Sequence, residues 1–316
     1  MEGNQMERKK AGNKLPFFRQ LKKDAGNYVL LAPALIYTLV FGYLTYPYMV
    51  IAFEKYNYKK GLLSDFVGVK NFEAFFKSTW AWQVTRNTVG LNLLFIITGT
   101  IASVGLALIL NEVVHKRFLK VAQSTMLFPY FISWAVVAMM LYALLSTDTG
   151  LINRMLTGVG LEKISFYSTA KIWPLILVIM RLWKGIGYSS IIYLATITGM
   201  DSEIYEAASI DGASRWKQTT KLTIPLLMPT VCILTLMDVG RAFFGDFTMI
   251  YSIIGDNGVL MPTTDIIDTF VFRTLRLSGD ASVAMAVGLY QSFVGFLLVF
   301  GVNKLVKKFY PDGALF

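Results

Sequence analysis

Apolar positions along this chain run in long uninterrupted blocks, not in the narrow stripes of a water-facing fold. A helix that crosses a bilayer needs roughly 20 mostly apolar residues. Six blocks reach that length: Tyr28–Phe53, Asn87–Leu110, Val121–Leu145, Trp173–Gly199, Ile224–Phe244 and Ser282–Leu305. The pattern predicts an all-α polytopic membrane protein with six transmembrane helices and no soluble domain longer than a loop. Pro129 predicts a kink in the third span. Gly99, Ser103 and Gly105 in the second, and Gly288 and Gly295 in the sixth, predict close helix packing.

Charge orients these spans. Arg8, Lys9, Lys10, Lys14, Arg19, Lys22 and Lys23 precede the first block. That block is longer than a signal-peptide core and no small-residue cleavage site follows it, so it reads as a retained helix. Lys116, Arg117 and Lys120 crowd the turn after the second span, and Lys304, Lys307 and Lys308 open the tail. The positive-inside rule places both features, and both termini, in the cytoplasm. The expected organisation is a basic segment over residues 1–27, a transmembrane domain over 28–306 and a cytoplasmic tail over 307–316.

Composition agrees with the pattern. Hydrophobic residues make up 55% and charged residues 16% of the 316, against about 25% charged in soluble domains. The mean hydropathy is +0.53. One cysteine (Cys232) and one histidine (His115) exclude a disulfide framework and a Cys- or His-rich metal cluster. No metal or cofactor is expected in this chain. The net charge of +10 is read against the membrane before nucleic acid.

The connection between spans four and five, residues 200–223, is not a simple turn. Asp201 or Ser202 can cap a short helix whose first turn is acidic. Ile204, Ala207, Ala208 and Asp211 continue it, and Gly212 can end it by taking positive φ. A second helical piece over 213–221 leads to Pro225, which suits the first turn of the next span. Glu206-Ala207-Ala208, then Gly212, then Pro225 resembles the EAA loop of binding-protein-dependent ABC importer permeases.

The resemblance runs along nearly the whole chain and is closest to the carbohydrate branch. Within it, the polysaccharide or rhamnogalacturonan-type permeases of Gram-positive bacteria are most similar. It is carried by Ile51–Asn57, Phe66–Phe72, Arg86–Thr88, Leu110–Val113, Pro129–Trp134, Asp265–Arg273 and Ala286–Tyr290. The large external insert of the enterobacterial maltose permease is missing, so nothing that depends on it carries over. The resemblance implies a type I importer permease in a bacterial cell membrane, with 200–223 forming a cytoplasmic coupling helix. Glu206, Ala207, Ala208, Asp211, Gly212 and Pro225 are its expected coupling residues. It also implies a second homologous permease, two ABC ATPase subunits and an extracytoplasmic, lipid-anchored solute-binding protein. The chain contains no Gly-Lys dipeptide and hence no Walker A loop. Mg-ATP is therefore expected on the partner ATPase, and this subunit is not itself an enzyme.

Ionisable residues at membrane depth usually line a cavity or pair. Span four carries Arg181 and Lys184, and span five Asp238 and Arg241. At 1.5 Å per residue, Arg181 lies about 12 Å and Asp238 about 9 Å below the outer surface, which predicts an Arg181–Asp238 pair. Three cations to one anion favour an anionic ligand, so the expected substrate is an acidic oligosaccharide containing uronic acids, as in rhamnogalacturonan or polygalacturonate fragments. A structural network is the competing reading of these charges. Trp134, Tyr142, Trp183, Tyr188, Phe243, Phe244, Tyr290 and Gln291 are the aromatic and polar candidates for a sugar path. Asp265, Asp268 and Arg273, in the loop over 251–276, are candidates for docking the binding protein.

Other classes fit less well. A secondary transporter of a small anionic solute would show inverted repeats and paired broken helices, and neither is evident. An intramembrane enzyme would need a catalytic constellation, and no Gly-x-Ser-x-Gly or facing Asp pair is present. Composition alone does not exclude a channel, but the 200–223 loop has no role in one.

Overall fold

The computed structural model describes residues 25–309. Most of the expected basic segment and the last seven residues of the tail lie outside that range. The chain divides into two compact units, residues 1–50 and 51–316. In the first, helix α1 (Ala25–Tyr37) carries Pro33 inside it and widens to π geometry over Thr38–Tyr43. No residue of α1 is buried.

The second unit opens with an antiparallel hairpin, β1 (Glu54–Asn57) and β2 (Gly61–Phe66), in register Lys55 to Asp65. Among the described residues this is the single departure from an all-helical chain. Short helix α2 (Lys70–Lys77) leads into α3 (Thr79–Asn111). At 33 residues, α3 is about 50 Å long and overshoots the roughly 30 Å hydrocarbon core.

The third expected span is not continuous. Helix α4 (Lys116–Leu127) passes through a 3-10 turn (Phe128–Phe131) and meets α5 (Trp134–Leu145) at 96°. Pro129 marks the break. Ser133 restarts the helix by accepting the Val136 N–H at 3.4 Å. Five helical runs, or six if this bent pair counts as one, are long and apolar enough to cross a membrane.

After α6 (Leu151–Gly158), α7 (Trp173–Thr198) starts with Pro174 in its first turn and ends before Gly199. Then come α8 (Ser202–Ile210), α9 (Arg215–Gln218), a π turn (Thr219–Thr223) and α10 (Ile224–Gly240). Helix α10 stops four residues short of the expected Phe244. A return segment follows with α11 (Phe247–Ile254), α12 (Met261–Thr264) and α13 (Ile267–Arg276), and α14 (Ala281–Phe309) closes the described chain.

Three apolar clusters hold this unit. One joins Leu91 and Phe95 of α3 to Trp173 and Leu177 of α7 and to Met249 and Ile250 of α11. A second joins Phe75, Val84, Phe243, Ile267 and Val287. The third joins Ala107 and Leu110 of α3 to Tyr193, Leu194 and Ile197 of α7 and to Leu227 of α10. Helices α3 and α7 thus run in parallel, with the first cluster toward their starts and the third at their ends; the second cluster sits at the start of α3. The 200–223 connection leaves from the third cluster. The hairpin and the α13–α14 junction sit at the other end.

Candidate functional site

The 200–223 loop folds as its sequence dictates. Asp201 Oδ1 accepts the Glu203 N–H at 2.9 Å and caps α8. At the other end, the Ala213 N–H bonds the Ala208 carbonyl at 2.9 Å and the Gly212 N–H bonds Ser209 at 3.1 Å. This is a Schellman closure, and Gly212 supplies the left-handed residue with φ +74°. Gln218 Nε2 then donates to Ser209 Oγ and to the Ala213 carbonyl, folding α9 back on α8. The Tyr205 hydroxyl meets Thr223 Oγ1 at 3.1 Å and ties the loop to the start of α10, where Pro225 occupies the first turn. Glu206, Ala207 and Asp211 are exposed. Beside them Ile210 is 87% and Trp216 77% exposed. A well-capped helix that shows large apolar side chains next to small ones has the form of a docking surface.

The second candidate region lies on α7. Arg181 does not pair with Asp238 as the helix-depth argument expects. Its Nη1 donates to Asp246 Oδ2 at 2.7 Å, and its guanidinium lies 5.1 Å from the Phe95 ring. The physical reason is the early end of α10. Arg241, Ala242 and Phe244 close successive tight turns, and the reversed chain brings Asp246 in as the cap of α11, its Oδ1 accepting the Met249 N–H at 3.0 Å. Asp246 is the residue the sequence reading missed. Its signal was present: an Asp after Gly and ahead of an apolar run is an N-cap pattern. Asp238 and Arg241 stay exposed within this chain.

Lys184 turns toward the break in the third span. Its ammonium donates to the Tyr130 carbonyl at 2.6 Å and reaches the Pro129 carbonyl at 3.4 Å. It also stands 5.4 Å from the rings of both Tyr130 and Trp134. Tyr130 and Tyr188 stack at 4.6 Å and 9°. Trp183 and Tyr188 are exposed within the chain, as is Tyr142, which also touches Tyr167. The structure therefore gathers Trp134, Lys184 and Tyr188, with Tyr130 added, on one face at the elbow. Gly187 makes this packing possible, since a Cβ there would fall 2.0 Å from the Met126 carbonyl oxygen.

The remaining path candidates lie elsewhere. Phe243 is buried against Val84 and Val287, with Tyr290 packed beside it. Gln291 is buried and donates to the Phe243 carbonyl and to Asp268, both at 2.9 Å. Phe244 is exposed, and its ring lies 2.9 Å from where a Cβ on Gly295 would sit.

The three docking candidates turn inward. Asp265 has no exposed side-chain surface and is held two-handed by Arg273, with Thr269 donating at 2.7 Å. Asp268 accepts the Gly245 N–H at 2.7 Å as well as Gln291. Burial pushes its carboxyl above the ordinary range, although these two donors pull the other way. The return segment is pinned to α3 by the Arg86-Asn87-Thr88 run. Asn87 Nδ2 donates to the carbonyls of Pro262 and Asp265, Arg86 to that of Pro262, and Thr88 Oγ1 accepts the Ile267 N–H at 2.9 Å. These acids and bases hold the fold together through contacts within the chain.

Comparison with known proteins agrees with this architecture. Residues 86–309 match the model of the binding-protein-dependent transport system inner membrane component. The chain is 34% identical over 304 residues to Protein LplB of Bacillus subtilis, covering 96% of this chain and 95% of that one. It is also 34% identical over 287 residues to the polygalacturonan/rhamnogalacturonan transport system permease protein YteP of Bacillus subtilis, covering 90% and 89%. A chain in the crystal structure of a bacterial alginate ABC transporter, in complex with its alginate pentasaccharide-bound periplasmic protein, superposes with a TM-score of 0.84 at 29% identity. That match covers 93% of this chain and 98% of the other. The chain is a multi-pass membrane protein and belongs to the family of binding-protein-dependent transport system inner membrane components.

Proposed function

We propose that this chain is one permease subunit of an ATP-driven importer of acidic oligosaccharides. The observation that carries the proposal is the similarity to YteP across nine-tenths of both chains. The substrate named for that relative is a uronate-rich polymer, and the structural neighbour is named for alginate, also acidic. The geometry adds local support. Lys184 stands with three aromatic rings at the elbow, the combination suited to a carboxylated pyranose. Arg181 is already neutralised by Asp246, so Lys184 and Arg241 are the cations left to meet a carboxylate.

Hydrolysis of ATP belongs to a separate subunit, because this chain lacks the Walker A lysine. Helix α8 is its docking element. Closure of two ATPase subunits around Mg-ATP moves α8, and the Tyr205–Thr223 contact passes that movement to α10. A second homologous permease completes the path and an extracytoplasmic binding protein supplies the sugar. Both termini and α8 lie in the cytoplasm. A secondary transporter of a small anion leaves the exposed EAA helix without a role.

The test combines composition and selectivity. Purified in mild detergent, the tagged chain brings down a second permease and a P-loop ATPase, and Glu206→Lys loses the ATPase alone. Uptake of an acidic oligosaccharide is competed by other acidic chains more strongly than by neutral ones of equal length. A homomer that transports without ATP sinks the importer reading. Equal competition by neutral sugars sinks the acidic one.

A further inference from the structure

A cleft of about 510 Å³ opens at the end of the second unit opposite the EAA loop. Its walls come from β1, the first turn of α2 and the turn that leads into α14. These walls are fixed to one another. The Tyr56 N–H donates to Ser282 Oγ at 2.9 Å, and the Tyr58 hydroxyl donates to the Gly279 carbonyl at 3.3 Å, across 226 and 221 residues of sequence. Asn71 Nδ2 donates to the carbonyls of Ala52 and Glu54, which locks α2 to the hairpin. The cleft is therefore built before any partner arrives.

Its chemistry is cationic. Lys55 and Lys70 line it, both are exposed, and neither is in an ion pair among the described residues. Of the acids close by, Asp65 and Glu73 are paired, Asp280 lines the cleft itself, and Glu54 beside Lys55 is buried with its Oε2 unpartnered. Asp65, opposite Lys55 in the hairpin, pairs with Lys60 at 2.9 Å. Glu73 pairs with Lys77 at 2.9 Å. Asp280 Oδ1 accepts the Val283 N–H at 2.9 Å. Two ammonium groups against the one carboxylate of Asp280 leave the lining net positive, which favours an anionic group. Tyr56 is the one aromatic ring among the lining residues, so the cleft lacks the facing rings that grip a pyranose. Mobile lysines at a rim instead steer and orient an approaching protein.

We infer that this cleft receives an acidic loop, bearing Asp or Glu, of the extracytoplasmic binding protein. The inference rests on the importer reading above and moves the docking surface away from Asp265, Asp268 and Arg273, which are occupied internally. It assigns Lys55 and Lys70 to encounter and leaves the transport path untouched.

The experiment uses the whole complex reconstituted in nanodiscs and its purified binding protein, with ATP hydrolysis followed against binding-protein concentration at two salt concentrations. Lys55→Glu/Lys70→Glu raises the half-saturating concentration about tenfold, flattens its salt dependence and leaves the plateau rate unchanged. Lys55→Gln/Lys70→Gln falls between. A photo-crosslinker placed at Ala74 captures the binding protein. An unchanged half-saturation in the charge-reversed variant overturns the inference. So does a crosslink formed only with the second permease, or protection of that site by free oligosaccharide without binding protein. A wild-type complex that binding protein fails to stimulate overturns the importer reading itself, which separates the two failures.

Discussion

The Arg181 guanidinium ends 2.7 Å from the Asp246 carboxylate, 65 residues further along the chain, and ties the middle of α7 to the cap of α11. The pair joins two elements that must keep their spacing if α7 borders a path. A double-mutant cycle measures it. Arg181→Gln and Asp246→Asn each lower transport, and the double variant loses less than their sum, with a coupling of about 1 kcal/mol. The Arg181 side chain is 42% exposed, and water screening keeps the value at this modest level. Strictly additive losses would remove the pair from any functional role.

Gly187 and Gly185 make a contrasting pair. A methyl group on Gly187 meets the Met126 carbonyl at 2.0 Å, whereas Gly185 has open space around it. Gly187→Ala therefore pushes α4 off α7 at a cost of about 1–3 kcal/mol and lowers the melting temperature in detergent. Gly185→Ala leaves it unchanged or slightly raised. Equal behaviour of the two variants would contradict the close approach.

The Pro129 carbonyl accepts the Ile132 N–H at the break, and Lys184 satisfies the Tyr130 carbonyl beside it at 2.6 Å. Lys184→Met strands the Tyr130 carbonyl and costs about 1–3 kcal/mol. Lys184→Arg keeps a donor and recovers part of that stability. If uptake of acidic sugar falls in Lys184→Arg while stability recovers, the lysine also contacts substrate; recovery of both assigns it to the elbow alone.

Gly212 sits at φ +74°, where side chains other than Asn or Asp are strained. Gly212→Asn retains the α8 closure and ATPase binding. Gly212→Val destabilises the turn by roughly 1–2 kcal/mol and weakens ATPase co-purification. A Val variant with wild-type ATPase recovery would show that the loop does not need this turn to dock.

Asp268 gives a pH signature. Its carboxyl holds its proton more firmly in the folded chain than in the unfolded one, because burial disfavours the charge. Between the ordinary carboxylate range and that raised value the native state binds more protons, so stability falls as pH rises through this window. Asp268→Asn keeps an oxygen acceptor for Gly245 and Gln291 without the charge. Thermal melts of the variant lie above wild type at neutral pH, and the gap narrows as the medium is acidified. A gap independent of pH would show that the carboxylate charge is not what matters.

The spans were readable because a run of about 20 apolar residues has few other uses. The helix–turn of the 200–223 loop was readable because its signals are local: the Asp201 side chain caps the next turn and Gly212 takes positive φ. The 96° elbow was not. Pro129 marks a break, but Lys184 and Gly187, more than 50 residues away, set its angle. The cap pattern of Asp246 was legible, but its partner was not, because the pairing with Arg181 depends on how the chain turns back after α10. Asp265, Asp268 and Arg273 read as candidates for docking a partner, since nothing local reveals that Asn87 and Thr88 draw that segment inward.

The elbow also bears on how the chain enters a bilayer during synthesis. Helix α5 has 12 residues and is about 18 Å long, well short of the hydrocarbon core. Emerging alone from a translocon, it is a poor candidate for stable insertion, and the Tyr130 carbonyl, bare without Lys184, makes lipid a poor refuge. The lysine that covers that carbonyl is made more than fifty residues later. Insertion of this region is therefore cooperative with α7, and a ribosome paused between the two would hold an intermediate open to proteolysis at the elbow.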